Sequence, residues 1–461
     1  MRKGRIERIG SADQFRAEWG LRQGLDSPDG TGKAITSVRV LIESSQVTPA
    51  GKADVRTFFV TRAVRMFAYG FLSVSLVLYL AQLGLSNTKI GLLLSLTLVG
   101  DIVVSLWLTT TADRFGRRRT LVIGAALMLL AGIVFALTDN FALLLLAATV
   151  GVISPSGNEV GPFLSVEQAG LSQVIPDQRR THVFGWYNLV GSLATALGAL
   201  VSGSLTQMLQ NRGVPVLDSY RVVIWGYAGA GAVLGLLFLW LSKAVEVIPQ
   251  VSASSQTAGA RAFLGLHRSK GVVTKLSALF SLDAFAGGFV IQSIVAYWFH
   301  IRFHVQPATL GAIFFGANIL AGVSALAAAR LASRIGLVNT MVFTHLPSNV
   351  LLILVPLMPN VHLAIAMLLL RFSISQMDVP TRQSYVMAVV QPDERSAAAG
   401  VTAVARSVGA AISPSLATML LASPMLLAAP FLIGGGLKII YDLLLYRSFA
   451  ATQSSRTDKT S

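Results

Sequence analysis

From about residue 57 to residue 447 the chain is a succession of apolar runs, each long enough to cross the roughly 30 Å of a bilayer's hydrocarbon core as a helix. Twelve can be marked, at approximately 57–83, 87–111, 119–138, 141–168, 182–209, 221–243, 273–301, 307–331, 338–358, 361–388, 396–422 and 425–447. In lipid every backbone polar group needs a partner within the protein, so runs of this length read as helices and the fold class as an all-α membrane protein. The 461 residues are 53% hydrophobic and only 13% charged, too apolar for a soluble domain. The net charge of +16 does not point to nucleic acid, because the basic residues fall in short gaps between apolar runs and not along one polar face. With no cysteine, disulfides, thiolate metal sites and a cysteine nucleophile are all excluded.

The gaps also set an orientation. Arg117, Arg118 and Arg119, then Arg179 and Arg180, then Arg330 and Arg334, then Arg395 fall in alternate gaps, and the intervening gaps are poor in Arg and Lys. Arginine-rich loops stay on the cytoplasmic side, and an even number of crossings puts both termini there. Residues 1–55 form a polar tail with no signal-peptide core. Residues 56–243 and 273–447 are expected as two six-helix bundles, joined by a cytoplasmic linker at 244–272 and followed by a tail at 448–461.

The bundles repeat in sequence. Arg65-Met66-Phe67-Ala68-Tyr69-Gly70-Phe71 aligns without a gap to Asp283-Ala284-Phe285-Ala286-Gly287-Gly288-Phe289, and the same register pairs Ser75 with Ser293 and Tyr79 with Tyr297. Val174-Ile175-Pro176-Asp177 likewise matches Val390-Gln391-Pro392-Asp393. These matches join the first segment to the seventh, and the fourth-to-fifth gap to the tenth-to-eleventh. Two parallel halves of six helices are the simplest account.

At Asp113-Arg114-Phe115-Gly116-Arg117-Arg118-Arg119 the chain resembles the major facilitator superfamily of secondary transporters, whose signature lies between the second and third helices. Thr109 stands where that signature begins with glycine, and Arg330-Leu331-Ala332-Ser333-Arg334-Ile335-Gly336 echoes the loop in the second half without its acid. The resemblance covers about residues 56–447. It implies twelve helices in two pseudo-symmetric bundles, a central cavity between them, and a cytoplasmic gate made by Asp113, Arg114, Arg117 and Arg118. The same arginines equally serve as topology and headgroup anchors.

Charges inside the apolar runs carry the functional information, since each is costly unless it is paired or faces a wet cavity. Asp101, Glu159 and Asp283 are the proton-coupling candidates, because a carboxylate moved between dry and wet surroundings can load and release a proton in each cycle. Their structural alternative is a permanent salt bridge with Arg65 or Arg406. Arg65, Tyr69, Phe289, Arg371, Asp378 and Arg406 are the substrate-binding candidates. Asp378 and Arg382 are four residues apart and can pair, which leaves Arg371 available. Lys438 and Asp442, also four apart, are expected to satisfy one another. Pro155, Pro162, Pro380 and Pro414 mark bends, and Gly191, Gly198 and Gly203 mark close helix contacts.

With no phosphate-binding motif and no visible nucleophile or metal constellation, no enzyme activity, cofactor or metal is expected, and energy should come from an ion gradient. The expected function is proton-coupled export of a small amphipathic or drug-like compound by alternating access. Transport of an organic or inorganic anion by the intramembrane arginines is the alternative, and metal or metalloid efflux a third. The expected partners are the substrate, protons and lipids. The expected form is a monomer in a bacterial inner membrane.

Overall fold

Short polar side chains start the helices where the apolar runs begin. Ser86 accepts a hydrogen bond from the amide of Lys89, Asn140 from those of Ala142 and Leu143, and Asn360 from that of Leu363. Glycines in the left-handed region end two of them, Gly116 (φ 98°) and Gly336 (φ 85°), at equivalent places in the two halves. The computed structural model describes residues 49–246, 266–391 and 394–457. Most of the expected N-terminal tail and the middle of the linker lie outside the described residues.

The N-terminal half contains α1 (Pro49–Gln82), α2 (Asn87–Phe115), α3 (Arg117–Leu137), α4 (Phe141–Val150), α5 (Phe163–Val174), α6 (Asp177–Asn211) and α7 (Val216–Leu239). The C-terminal half contains α8 (Lys270–Gly288), α9 (Gln292–Phe303), α10 (Pro307–Ile335), α11 (Leu337–Leu354), α12 (Val361–Ser375), α13 (Asp378–Val389), α14 (Arg395–Leu421) and α15 (Ala429–Thr457). Among the described residues, eleven spans are long and apolar enough to cross a bilayer, with α8–α9 and α12–α13 each counted as one. The fourth passage is the exception. The sequence suggests one helix over 141–168, whereas the structure makes the passage from two short helices around an irregular stretch at 151–162.

Chain composition explains the break. Pro155 and Pro162 remove amide donors, and Gly157 and Gly161 adopt φ of 71° and 79°, where side chains are strained. Irregular backbone at this depth is tolerated only where protein groups satisfy it. Tyr69 donates to the Val160 carbonyl at 3.1 Å, Tyr227 donates to that of Val152, and the Ser293 amide donates to that of Pro155 at 3.2 Å. Asp101 accepts from the Gly161 amide at 2.6 Å. Passages seven and ten are also interrupted, at 289–291 and 376–377.

Helix packing repeats as the sequence does. In the first half α1 packs on α6, α3 on α7 and α2 on α4; in the second, α8 packs on α14, α11 on α15 and α10 on α12. These are the same pairs of passages: first with fifth, third with sixth, second with fourth. Large apolar side chains such as Leu106, Trp107, Leu236 and Leu326 are exposed on the outside, as lipid-facing residues should be.

The halves meet through α6 on α10, α2 on α14 and α1 on α9. Among the described residues, the hydrogen bonds that join them lie toward the face away from the Arg117 turn. Gln292 donates to Ser73 at 2.8 Å, Tyr297 to Asn87 at 3.2 Å, and the Ser415 amide to Ser95 at 3.1 Å. At the same level Gly203 and Gly311 let α6 and α10 touch backbone to backbone: a Cβ on Gly203 would stand 2.2 Å from the Pro307 carbonyl oxygen.

Candidate functional site: two buried charge clusters

In the first half, α1 presents Arg62 and Arg65 one turn apart to two carboxylates of the broken fourth passage. Arg65, fully buried, donates from Nε to Glu159 Oε1 at 2.8 Å and from Nη1 and Nη2 to the two oxygens of Glu167 at 2.8 and 2.7 Å. Glu167 also accepts from Thr61 at 2.8 Å and from the Tyr187 hydroxyl, and Glu159 accepts from Arg62. The Arg65 guanidinium lies 4.8 Å from the centre of the Phe163 ring and that of Arg62 4.8 Å from the Tyr187 ring. Two cations and two carboxylates balance here. Arg65, a substrate-binding candidate by sequence, is engaged at all three nitrogens, and Glu159 sits between two arginines.

Asp101 is different. Its partners are the Gly161 amide at 2.6 Å and the Ser105 hydroxyl at 3.0 Å, and among the described residues no cation stands within salt-bridge distance of it. It touches the irregular stretch two residues from Glu159. Tyr69, also fully buried, holds the same stretch at Val160.

In the second half the polarity is inverted. The residue equivalent to Arg65 is Asp283, and cations from three helices converge on it: Lys438 at 2.5 Å, Arg382 at 3.2 Å and Arg406 at 3.3 Å. Arg382 also donates to Asp378 at 2.8 Å across one turn of α13. His345 Nε2 is 3.8 Å from Asp283, and its Nδ1 is 2.8 Å from Asp442, which accepts from Asn349 at 2.9 Å. The local Lys438–Asp442 pair expected from spacing is therefore not formed. Lys438 turns to Asp283, and Asp442 is taken by His345 and Asn349 on α11. Spacing of four permits a pair but does not prevent a neighbouring helix from offering a better one.

Arg371, on α12, has no hydrogen-bond partner for its buried Nε and rests 5.0 Å from the centre of the Phe372 ring. Phe289 is buried at the break between α8 and α9, edge-on to Phe285 at 5.4 Å.

At the opposite end, the Arg117 turn is tied to the start of the linker. Glu246 accepts from the amides of Arg117 and Arg118 at 2.7 and 3.2 Å, capping the otherwise uncapped N-terminus of α3, and the Arg117 side chain donates to the Val245 carbonyl at 3.1 Å. The side chains of Asp113 and Arg114 lie outside the described residues. Glu394 does for the end of the linker what Glu246 does for its start. It accepts from the amides of Arg268 and Ser269 at 2.7 and 2.9 Å and from that of His267. With the Ser269 hydroxyl and these amides around it, its carboxyl is pulled down to about 2.

Sequence reasoning passed over Glu167, His345, Asn349, Glu246 and Glu394. Glu167 falls at the end of an apolar run, where an acid reads as interfacial, and the capping residues lie in loops whose partners are more than a hundred positions away.

Two repeated helical bundles, each with a charge cluster buried in its wall and joined to the other along one face, define a membrane transporter of the two-bundle type. Residues 58–414 match the Major Facilitator Superfamily, and the chain belongs to that family. It is similar to the Saccharomyces cerevisiae protein named Uncharacterized membrane protein YJR124C, 31% identical over 417 residues that span 85% of this chain and 93% of that one. It is also similar to the Quinolone resistance protein NorA of Staphylococcus aureus, 25% identical over 190 residues, 40% of this chain and 44% of NorA. Among solved structures, the nucleoside transporter NupG superimposes with a TM-score of 0.65 at 15% identity, covering 86% of this chain and 99% of NupG, a likeness of fold alone.

Proposed function

We propose that the chain is a proton-coupled secondary transporter that exports a small amphipathic or drug-like compound by alternating access, with Asp101 as its principal proton carrier. The observation that carries the coupling is the contrast among the three candidate acids: Glu159 and Asp283 are held by two and three cations, whereas Asp101 has none among the described residues and is bound to an amide of the irregular fourth passage. A proton on Asp101 removes the charge that attracts the Gly161 amide. Loading and release are thereby linked to the segment that carries Glu159 and touches the second half at Ser293. The drug-like class is supported by the partial similarity to NorA, whose name refers to quinolone resistance.

Arginine-rich loops place both termini and the Arg117 turn in the cytoplasm on this reading. The contacts between the halves then lie on the outer side, and the protein is in a state whose cavity opens inward. The yeast relative lends no support to a specifically bacterial membrane.

The test is reconstitution in liposomes with an internal pH dye and gradients of chemically diverse amphipathic compounds, comparing the parent chain with Asp101→Asn and Glu159→Gln. Substrate-driven proton movement that disappears in Asp101→Asn supports the reading. Substrate movement by the parent chain without proton movement overturns it.

A further inference from the structure

We infer that His345 is a second proton-binding site, in the second half, which takes its proton at Nε2. The site is separate from Asp101, and only its part in the transport cycle rests on the transporter reading above. His345 is buried on α11 with a carboxylate facing each ring nitrogen: Asp442 of α15 lies 2.8 Å from Nδ1, and Asp283 of α8 lies 3.8 Å from Nε2. An ionised carboxylate only accepts, and Asp442 already accepts from Asn349 at 2.9 Å, so the single hydrogen of a neutral imidazole belongs on Nδ1. Nε2 then turns its lone pair toward Asp283. The 3.8 Å separation is too long for a hydrogen bond, as two facing acceptors require, and a small side-chain movement closes it once Nε2 carries a proton. Between two carboxylates, a neutral histidine has one donor too few, and a proton supplies it.

The surrounding charges leave room for that proton. Of the helices packed on α11, α15 brings Lys438 and Asp442, with Tyr441 edge-on to the imidazole at 5.9 Å, and α13 brings Asp378 and Arg382. On α12, Arg371 makes no ion pair among the described residues and His362 is exposed near the helix start; the charges of α10, Arg330 and Arg334, are exposed at its C-terminal end. Asp283 of α8 and Arg406 of α14 complete the group. Within it the three carboxylates Asp283, Asp378 and Asp442 stand against the three ion-paired cations Lys438, Arg382 and Arg406, which leaves the imidazole as the member with a proton to gain. Asp283 Oδ1, which holds Lys438 at 2.5 Å, has a second lone pair for it. Arg406 is a third exposed, so the cluster is not sealed on that side. On the transporter reading each half then carries one proton site, Asp101 in the first and His345 in the second.

The experiment is nitrogen NMR of the full chain carrying isotope-labelled histidine, in detergent and without substrate, between about pH 8 and pH 5, the span in which imidazoles ordinarily change charge. Of the six histidines, His345 is identified as the one whose signals are missing from His345→Gln and displaced in Asn349→Ala, where the lost amide had stood 3.1 Å from Nδ1; the second variant alone suffices if the first does not fold. The expected result is an Nδ1 that carries hydrogen throughout and an Nε2 that passes from bare to protonated as pH falls. A purely structural histidine would keep one state. An Nε2 that stays bare or stays protonated over the whole span, or a proton gained at Nδ1 instead, overturns the inference. The measurement needs neither substrate nor gradient, so the two readings fail separately. Titration at Nε2 in a chain that moves substrate without protons in liposomes upholds this site and defeats the coupling, whereas Asp101-dependent proton movement in a chain whose Nε2 does not titrate defeats this site alone.

Discussion

Gly203 offers a test of how the two halves are held together. It lies on α6 against α10 of the other half, and an added Cβ would stand 2.2 Å from the Pro307 carbonyl oxygen and 2.8 Å from the Gly311 amide. Both are backbone atoms, so no side chain can swing aside to relieve the clash. With carbon contacts settling near 3.5 Å, the helices must part by roughly 1 Å in Gly203→Ala. Overpacking of this kind costs about 1–3 kcal/mol. Because the contact lies between the halves, that cost falls on the state sealed at this face and not on either bundle, and moves the conformational equilibrium about 5–150-fold toward the state open there. The natural chain has no cysteine, so spin labels at Arg212→Cys and Gln306→Cys, on exposed loops of the two halves at this face, report their separation by pulsed electron resonance without background. Gly203→Ala should add or enlarge a longer-distance population. Gly229→Ala, where a Cβ meets nothing within 4 Å, should leave the distribution unchanged. Identical distributions for Gly203→Ala and the parent, with helix content preserved, would refute the reasoning.

Two further outcomes follow from the charge clusters. Glu167→Gln leaves the fully buried Arg65 with only Glu159 as a charged partner, and should lower stability by about 3–5 kcal/mol, the usual cost of breaking a buried pair; thermal unfolding in detergent checks this, and Glu167→Leu combined with Arg65→Leu should recover part of the loss. At the linker, Glu394 has its carboxyl drawn down to about 2, below the usual value near 4.3 for an unfolded chain. The sign follows from a depressed folded value: its contribution is complete above about pH 4.3 and disappears as pH falls toward 2. The acid-side slope of melting temperature against pH should therefore be shallower in Glu394→Gln than in the parent chain, and equal slopes would count against this role.

Crossing helices, the duplication into two halves and the Asp113–Arg119 turn are legible in the sequence because each is a local property. An apolar run long enough to span lipid has no alternative to a helix, and a repeat in register is a repeat in structure. The breaks are half legible: Pro155 and Pro162 announce a disturbed passage, but run length alone suggests one continuous helix over 141–168, and the positive φ of Gly157 and Gly161 is seen only in the structure. Which partner each buried charge takes is a different kind of quantity. Asp101 and Glu159 look alike along the chain, yet one is bound by an amide and a hydroxyl and the other by two arginines. Lys438 could reach Asp442 on its own helix and instead meets Asp283 from α8, while Arg65 finds Glu167 across 102 positions. A charge in a low-dielectric interior pairs with whatever the fold brings nearest, so residue type determined that these groups had to be compensated, and only the packing of helices far apart in sequence decided by what.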